Sequence, residues 1–156
     1  MFDLEQEFDR VRVALGEASI EYALCGGLAV GVYGRARSTI DIDVLIRAED
    51  EQPVYDAVAG LGFRLKARPM NFDAGATQIR RISKVDPADG EVLILDLLLV
   101  TPTFQHVWDT RKRRQWKGQD LWVVSTRGLI AMKRARSSPV DLADIEWLEN
   151  IAPEEE

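Results

Sequence analysis

The sequence predicts a single domain of mixed class, α+β or α/β, with a mixed β-sheet flanked by helices. Three observations carry this. The chain has 156 residues and no linker-like or low-complexity tract to divide it, the size of one domain. Its 46% hydrophobic and 29% charged residues are the balance of a soluble globular protein. Its periodicities run in the order helix, strands interrupted by helices, then two C-terminal helices. No apolar run approaches the ~18 residues of a membrane span. The acidic start "MFDLEQEFDR" argues against a targeting segment, and the lone Cys25 excludes an internal disulfide, so a cytoplasmic location is expected. The domain is expected over residues 1–152, with an acidic, disordered tail at 153–156.

The elements follow in order. Leu4, Phe8, Val11 and Leu15 recur at spacings of four, three and four, which predicts a helix over 3–17. "IEYALC" reads as a short buried strand closed by Gly26 and Gly27, and "LAVGVYG" as a short helix. "STIDIDVLI" reads as a strand, "EQPVYDAVAGLGF" as a helix ending near Gly60 or Gly62. "TQIRRISKV" and "EVLILDLLLV" are strands separated by the turn-like "DPADG". "PTFQHVWDTR" predicts a helix, and "RRQWKGQDLWVV" a hairpin turning at Lys117 to Asp120. Ser125 caps a helix through Lys133. Ser138, Pro139 and Asp141 start the last one.

The net charge of −6 argues against generic nucleic-acid binding. Basic residues nevertheless cluster at Arg64 to Arg68, Arg80 to Lys84, Arg111 to Lys117 and Lys133 to Arg136. They are either local anion-binding surfaces or scattered solvated faces.

Chemistry concentrates in the acids. In "RSTIDIDVLI" the alternation of strand side chains sets Ile40, Ile42, Val44 and Ile46 on one face. Arg37, Thr39, Asp41 and Asp43 fall on the other, the two carboxylates about 7 Å apart along the strand. A solvated strand face explains that row without function. Asp96 is different, because four apolar residues precede it and four follow in "VLILDLLLV". A strand so apolar is covered on both faces, and a carboxylate buried there needs a metal, a cationic partner or a raised pKa. An arginine pair or a sheet edge would satisfy it alone. Together with Asp41 and Asp43 it forms a candidate site for hard divalent cations, Mg²⁺ or Mn²⁺. Two such ions stabilise the attacking and leaving oxygens of a phosphoryl displacement. Asp41, Asp43 and Asp96 are then both metal ligands and catalytic residues, Asp96 also helping to deprotonate the attacking hydroxyl.

Ahead of them, Gly26-Gly27 closes a strand before a helix, where backbone N–H groups can approach an anion closely. Other chemistries fit worse. The apolar run follows Asp43, the reverse of haloacid-dehalogenase-type phosphatases. No paired Cys-x-x-Cys or His-Glu-x-x-His supports zinc. His106 reads as a packing or surface residue, and Cys25 as a small buried apolar one.

The order strand, Gly26-Gly27, helix, Asp41-Ile42-Asp43, then Asp96 on a later strand resembles the DNA polymerase β-like nucleotidyltransferase superfamily. The match runs from about Ile20 to Val100. Within the superfamily, Lys133 followed by "DLAD", Asp141 to Asp144, is similar to the minimal nucleotidyltransferases related to AbiEii-type toxins. The resemblance implies an α+β nucleotidyltransferase fold and transfer of an NMP group from an NTP, such as ATP, to an acceptor hydroxyl. It implies nucleotide-binding roles for Gly26, Gly27 and Lys133, with Asp141 and Asp144 orienting the last helix or its lysine. Arg37 and Thr39 are nucleotide-binding candidates from their place on the carboxylate face, where Arg37 could instead pair with Asp41 or Asp43. The acceptor is a tRNA end, a protein hydroxyl or a small antibiotic of the lincosamide or aminoglycoside type. A toxin would have a cognate antitoxin as partner. The alternative is a catalytically silent fold acting as a binding module, such as a neutralising partner.

Overall fold

The computed structural model describes residues 1–35, 39–136 and 138–155, with side chains described through Ile151. Helix α1 (Leu4–Glu17) starts where the Asp3 carboxylate accepts a hydrogen bond from the Gln6 N–H, and it buries Phe8, Val11 and Leu15. Its end takes over part of the predicted strand "IEYALC". Ser19 adopts φ 57° while the Ile20 N–H donates to the Leu15 carbonyl, an αL cap that leaves only β1 (Ala23–Cys25) as strand. Helix α2 (Gly26–Val32) follows directly, then β2 (Asp41–Ile46), α3 (Glu51–Ala59), β3 (Leu65–Lys66), β4 (Met70–Phe72), β5 (Thr77–Val85) and β6 (Val92–Leu99). Helix α4 (Gln105–Asp109), the hairpin β7 (Lys112–Trp116) and β8 (Gln119–Val123), and helices α5 (Thr126–Arg136) and α6 (Pro139–Glu155) complete the described chain.

The strands form one mixed sheet in the order β3-β5-β6-β2-β1-β8-β7, with β4 paired to β5. Strands β2 and β6 run parallel, as do β1 and β8, and the remaining pairs are antiparallel. The fold is therefore α+β with helices on the sheet. Helix α1 covers one face: Lys84, on the face of Leu93 and Leu95, reaches Glu7 of α1 at 2.6 Å. The packed pair α5 and α6 stands over the other face, where Leu129, Met132, Ile145 and Leu148 are buried.

Two readings shift, and two short strands are added. Ile40 precedes the strand and is 78% exposed, so the apolar row begins at Ile42. The hairpin turns more tightly than expected: Trp116 pairs with Gln119, and Lys117 (φ 50°) with Gly118 (φ 79°) make a two-residue turn. Positive φ at both positions gives the twist that a right-handed hairpin needs. Strands β3 and β4, two and three residues long, carry too little alternation to be read from sequence. They form because β5 offers its edge.

Candidate active site

Register assembles the site. Across the sheet, Cys25 pairs with Asp43, Asp43 with Asp96, and Asp96 with Arg81. Residues directly opposite one another share a face, so these four side chains form one row on the face covered by α5 and α6. Asp41, two residues before Asp43, lies on that same face opposite Ile94. Asp41, Asp43 and Asp96 all line a cavity of about 730 Å³, together with Gly26, Gly27, Thr39, Arg81 and Lys133. Parallel pairing of β2 with β6, invisible in either strand alone, brings the third acid beside the other two.

The row is crowded with negative charge. Burial, with the neighbouring Asp96 and Asp41 carboxylates, drives Asp43 from 3.8 to about 7. Burial and Asp96 also raise Asp41, whose Oδ1 is buried without a hydrogen-bond partner among the described residues. Arg81 compensates one end. It donates to both oxygens of Asp96, Nε to Oδ1 at 2.8 Å and Nη2 to Oδ2 at 3.0 Å, a bidentate pair that raises the guanidinium's own pKa. Among the described residues, no group of three or more Asp, Glu, His or Cys side chains is gathered tightly enough to hold a metal ion. The expected triad is thus aligned, but Asp96 is held by an arginine. Asp41 and Asp43 fit a divalent cation, since one has an orphaned buried oxygen and the other is buried beside two further carboxylates.

Gly26 explains how the glycine turn meets the acids. Its φ of +68° is a conformation that L side chains rarely adopt, and a Cβ there would lie 2.2 Å from Asp43 Oδ2. The backbone of the turn packs directly on the carboxylate. Gly27 follows in the first turn of α2, which has no side-chain cap. Thr39 is half-buried, its hydroxyl 3.5 Å from the Asp41 carbonyl. Arg37 lies outside the described residues.

Lys133 is buried, its Nζ 3.0 Å from Asp144 Oδ2 and 3.5 Å from Asp141 Oδ1. Asp144 also approaches Arg35 (3.4 Å) and Asp141 approaches Arg136 (3.4 Å). Asp141 closes a capping box with Ser138: the Ser138 hydroxyl accepts from the Asp141 N–H and donates to the Asp141 carboxylate. Burial pushes Asp141 up, but the Ser138 hydrogen bond with Arg136 and Lys133 pulls it below its usual value. Cys25 is buried, and burial beside Asp43 keeps its thiol well above the ordinary range, unlike an activated nucleophile. His106 is exposed.

Sequence reasoning missed Arg81 as a site residue. A hairpin centred on "DPADG" would have pointed to Arg80 or Arg81 as the partner of Asp96. The observed register, with Val85 opposite Val92, selects Arg81. A one-residue slip would have turned it to the other face. It also missed the apolar side of the cavity, where Met70, Phe72, Ile79, Leu98 and Phe104 line the wall.

The structure is similar to LnuA, a lincosamide antibiotic adenylyltransferase with lincomycin bound, at 16% identity and a TM-score of 0.64, over 94% of this chain and 97% of that one. It is also similar to ANT(2″)-Ia. In complex with adenylyl-2″-tobramycin that protein matches at 16% identity and a TM-score of 0.65, covering 92% of this chain and 86% of that one. Its solution structure matches at 16% identity and a TM-score of 0.69, over 99% and 88%. No protein-family model and no curated protein sequence matches the chain. The chain has the nucleotidyltransferase fold.

Proposed function

We propose that the chain is a metal-dependent nucleotidyltransferase. It takes an NTP, moves the NMP group to an acceptor hydroxyl and releases pyrophosphate. The observation that carries this reading is the register that sets Asp43 opposite Asp96, with Asp41 on the same cavity-facing side. Asp41 and Asp43 would hold Mg²⁺ or Mn²⁺, which supplies charge neutralisation at the phosphates. Asp96 would join them on leaving Arg81 and accept the hydroxyl proton. Gly26 and Gly27 bring backbone N–H groups to the triphosphate, and Lys133, Thr39 and Arg37 are the nucleotide-binding side chains. Catalysis is then mostly positioning and electrostatics. The fold's likeness to LnuA and ANT(2″)-Ia supports the class of reaction. It also supports a small-molecule acceptor over tRNA or protein. The Lys133-to-Asp144 pattern supports the AbiEii-like reading and, with it, a toxin that has a cognate antitoxin.

A second reading has its own observation. Both oxygens of Asp96 are engaged by Arg81, as in a silent fold used as a binding module or neutralising partner. Calorimetric titration with Mg²⁺ and each NTP separates the two, because a silent module gives no heat. In the enzyme, Asp43→Asn loses transfer of labelled NMP by at least about 10²-fold while its thermal melt stays cooperative. Full transfer by that variant removes the assignment.

A further inference from the structure

The ion pair between Arg81 and Asp96 is built asymmetrically. In the pair between Lys133 and Asp144 both side chains are buried, so neither can turn away without stranding the other charge. Asp96 is held as firmly. Its side chain is 7% exposed, and it sits on the inner strand β6 between Leu95 and Leu97, both fully buried. Arg81 is not held in this way, because its side chain is 36% exposed. Beyond it, on the short edge strand, stands Ala67, whose N–H donates to the Arg81 carbonyl. Ala67 is small and itself exposed. The guanidinium can therefore turn outward over the Ala67 methyl into water and stay hydrated there, while the carboxylate keeps its place.

We propose that Arg81 is a displaceable counter-ion, an autoinhibitory latch that withholds Asp96 until a divalent cation displaces it. The inference rests on the nucleotidyltransferase reading and adds a regulatory contact to the same site. Arg81 and the cation compete for the same two oxygens. The guanidinium fork occupies both, at 2.8 and 3.0 Å, whereas a metal ion needs at least one of them free. Charge decides the competition. Arg81 brings one positive charge to the end of the row, where it hydrogen-bonds Asp96. A divalent ion seated at Asp41 and Asp43 brings two charges into the middle of three carboxylates. The arginine is the partner that moves, because it alone of the two has water to move into. The row is thus partly neutralised before loading, and Asp96 becomes available only after the other two acids are engaged. A monovalent cation, with no charge advantage over the guanidinium, leaves the latch closed.

The test uses the full chain at pH 8 with isotope-labelled arginine, observed by NMR, and metal binding measured in parallel. The Arg81 Nε–H signal, assigned by its loss in Arg81→Lys, should exchange slowly with water in the metal-free chain. Mg²⁺, and then MgATP, should move it to the position and fast exchange of a solvated guanidinium, while K⁺ at matched ionic strength should not. Removing the competitor should also tighten the site: Arg81→Met is expected to bind Mn²⁺ about tenfold more strongly than the native chain, with Arg81→Lys between them. Arg81→Met leaves Asp96 buried and unpaired, so its Tm should fall, and Mn²⁺ should restore it. A purely structural pair would lower that Tm and leave Mn²⁺ affinity unmoved. Mg²⁺ binding that leaves the Nε–H signal in place, its release by K⁺, or Mn²⁺ affinity in the folded Arg81 variants no higher than native overturns the latch. Failure of the native chain and both variants to bind Mg²⁺, Mn²⁺ or MgATP would instead overturn the nucleotidyltransferase reading itself.

Discussion

The protein buries carboxylates in two places, and treats them in opposite ways. Under α5 and α6, Asp141 and Asp144 are almost fully buried, yet each faces cations: Lys133 between them, Arg136 beside one and Arg35 beside the other. The Asp141 pKa accordingly falls. Across the same cavity, which Lys133 and Asp141 also line, Asp41 and Asp43 have no ion pair among the described residues, and their pKa values rise. The first cluster is neutralised within the chain and holds two helices together. The second is left short of positive charge at the floor of a cavity, which is an arrangement that costs stability unless a ligand supplies the cation. Charge imbalance, more than the number of acids, separates the candidate site from the scaffold.

The comparison breaks most visibly at Lys133. Lys133→Met leaves two buried carboxylates facing only peripheral arginines and should destabilise the fold by about 3 kcal/mol, a Tm drop of roughly 10 °C. A thermal melt checks it. An unchanged Tm would mean that the cluster is not the structural one.

Gly26→Ala comes next. The added Cβ meets Asp43 at a backbone conformation unfavourable to alanine, with an expected cost of about 2 kcal/mol. Combining it with Asp43→Gly removes the collision but not the backbone strain. Denaturant unfolding should therefore show the double variant recovering about 1 kcal/mol of that loss.

The third change has the opposite sign. Asp43 titrates near 7 in the folded chain but near its ordinary value when unfolded. Below about pH 4 both states hold the proton and the group is neutral in its effect. As pH rises towards 7 the unfolded chain releases the proton more readily, so the folded state loses stability. Asp43→Asn should therefore be more stable than the native chain at pH 8, with the gap closing as pH falls towards 3. Millimolar Mg²⁺ should close the gap at pH 8 by stabilising only the native chain. A gap that ignores both pH and Mg²⁺ would mean that the charge at position 43 is already compensated.

Much of this was legible in the sequence, for local reasons. Helix α1 followed from four spaced apolar residues, and the caps at Ser125 and Ser138 are found where their side chains were expected. Each hydroxyl accepts an N–H three residues on, from Gly128 and Asp141. The strands β5 and β6 were read from their alternation and apolar run. What failed was short or shared between elements. Ile40 belonged to an apolar row by parity alone, but no neighbouring strand reaches it. Strands β3 and β4 exist only by virtue of the β5 edge.

The amino-acid order by itself determined the elements, the unusual acid inside an apolar strand and the glycine turn before the paired aspartates, because capping, alternation and backbone freedom act over a few neighbouring residues. Only the tertiary structure decided that Asp43 faces Asp96, that Arg81 rather than Arg80 holds that acid, and that Lys133 is enclosed by Asp141 and Asp144. These are matters of register and helix packing between segments far apart in the chain. A one-residue slip costs little locally, but it reverses which side chains meet.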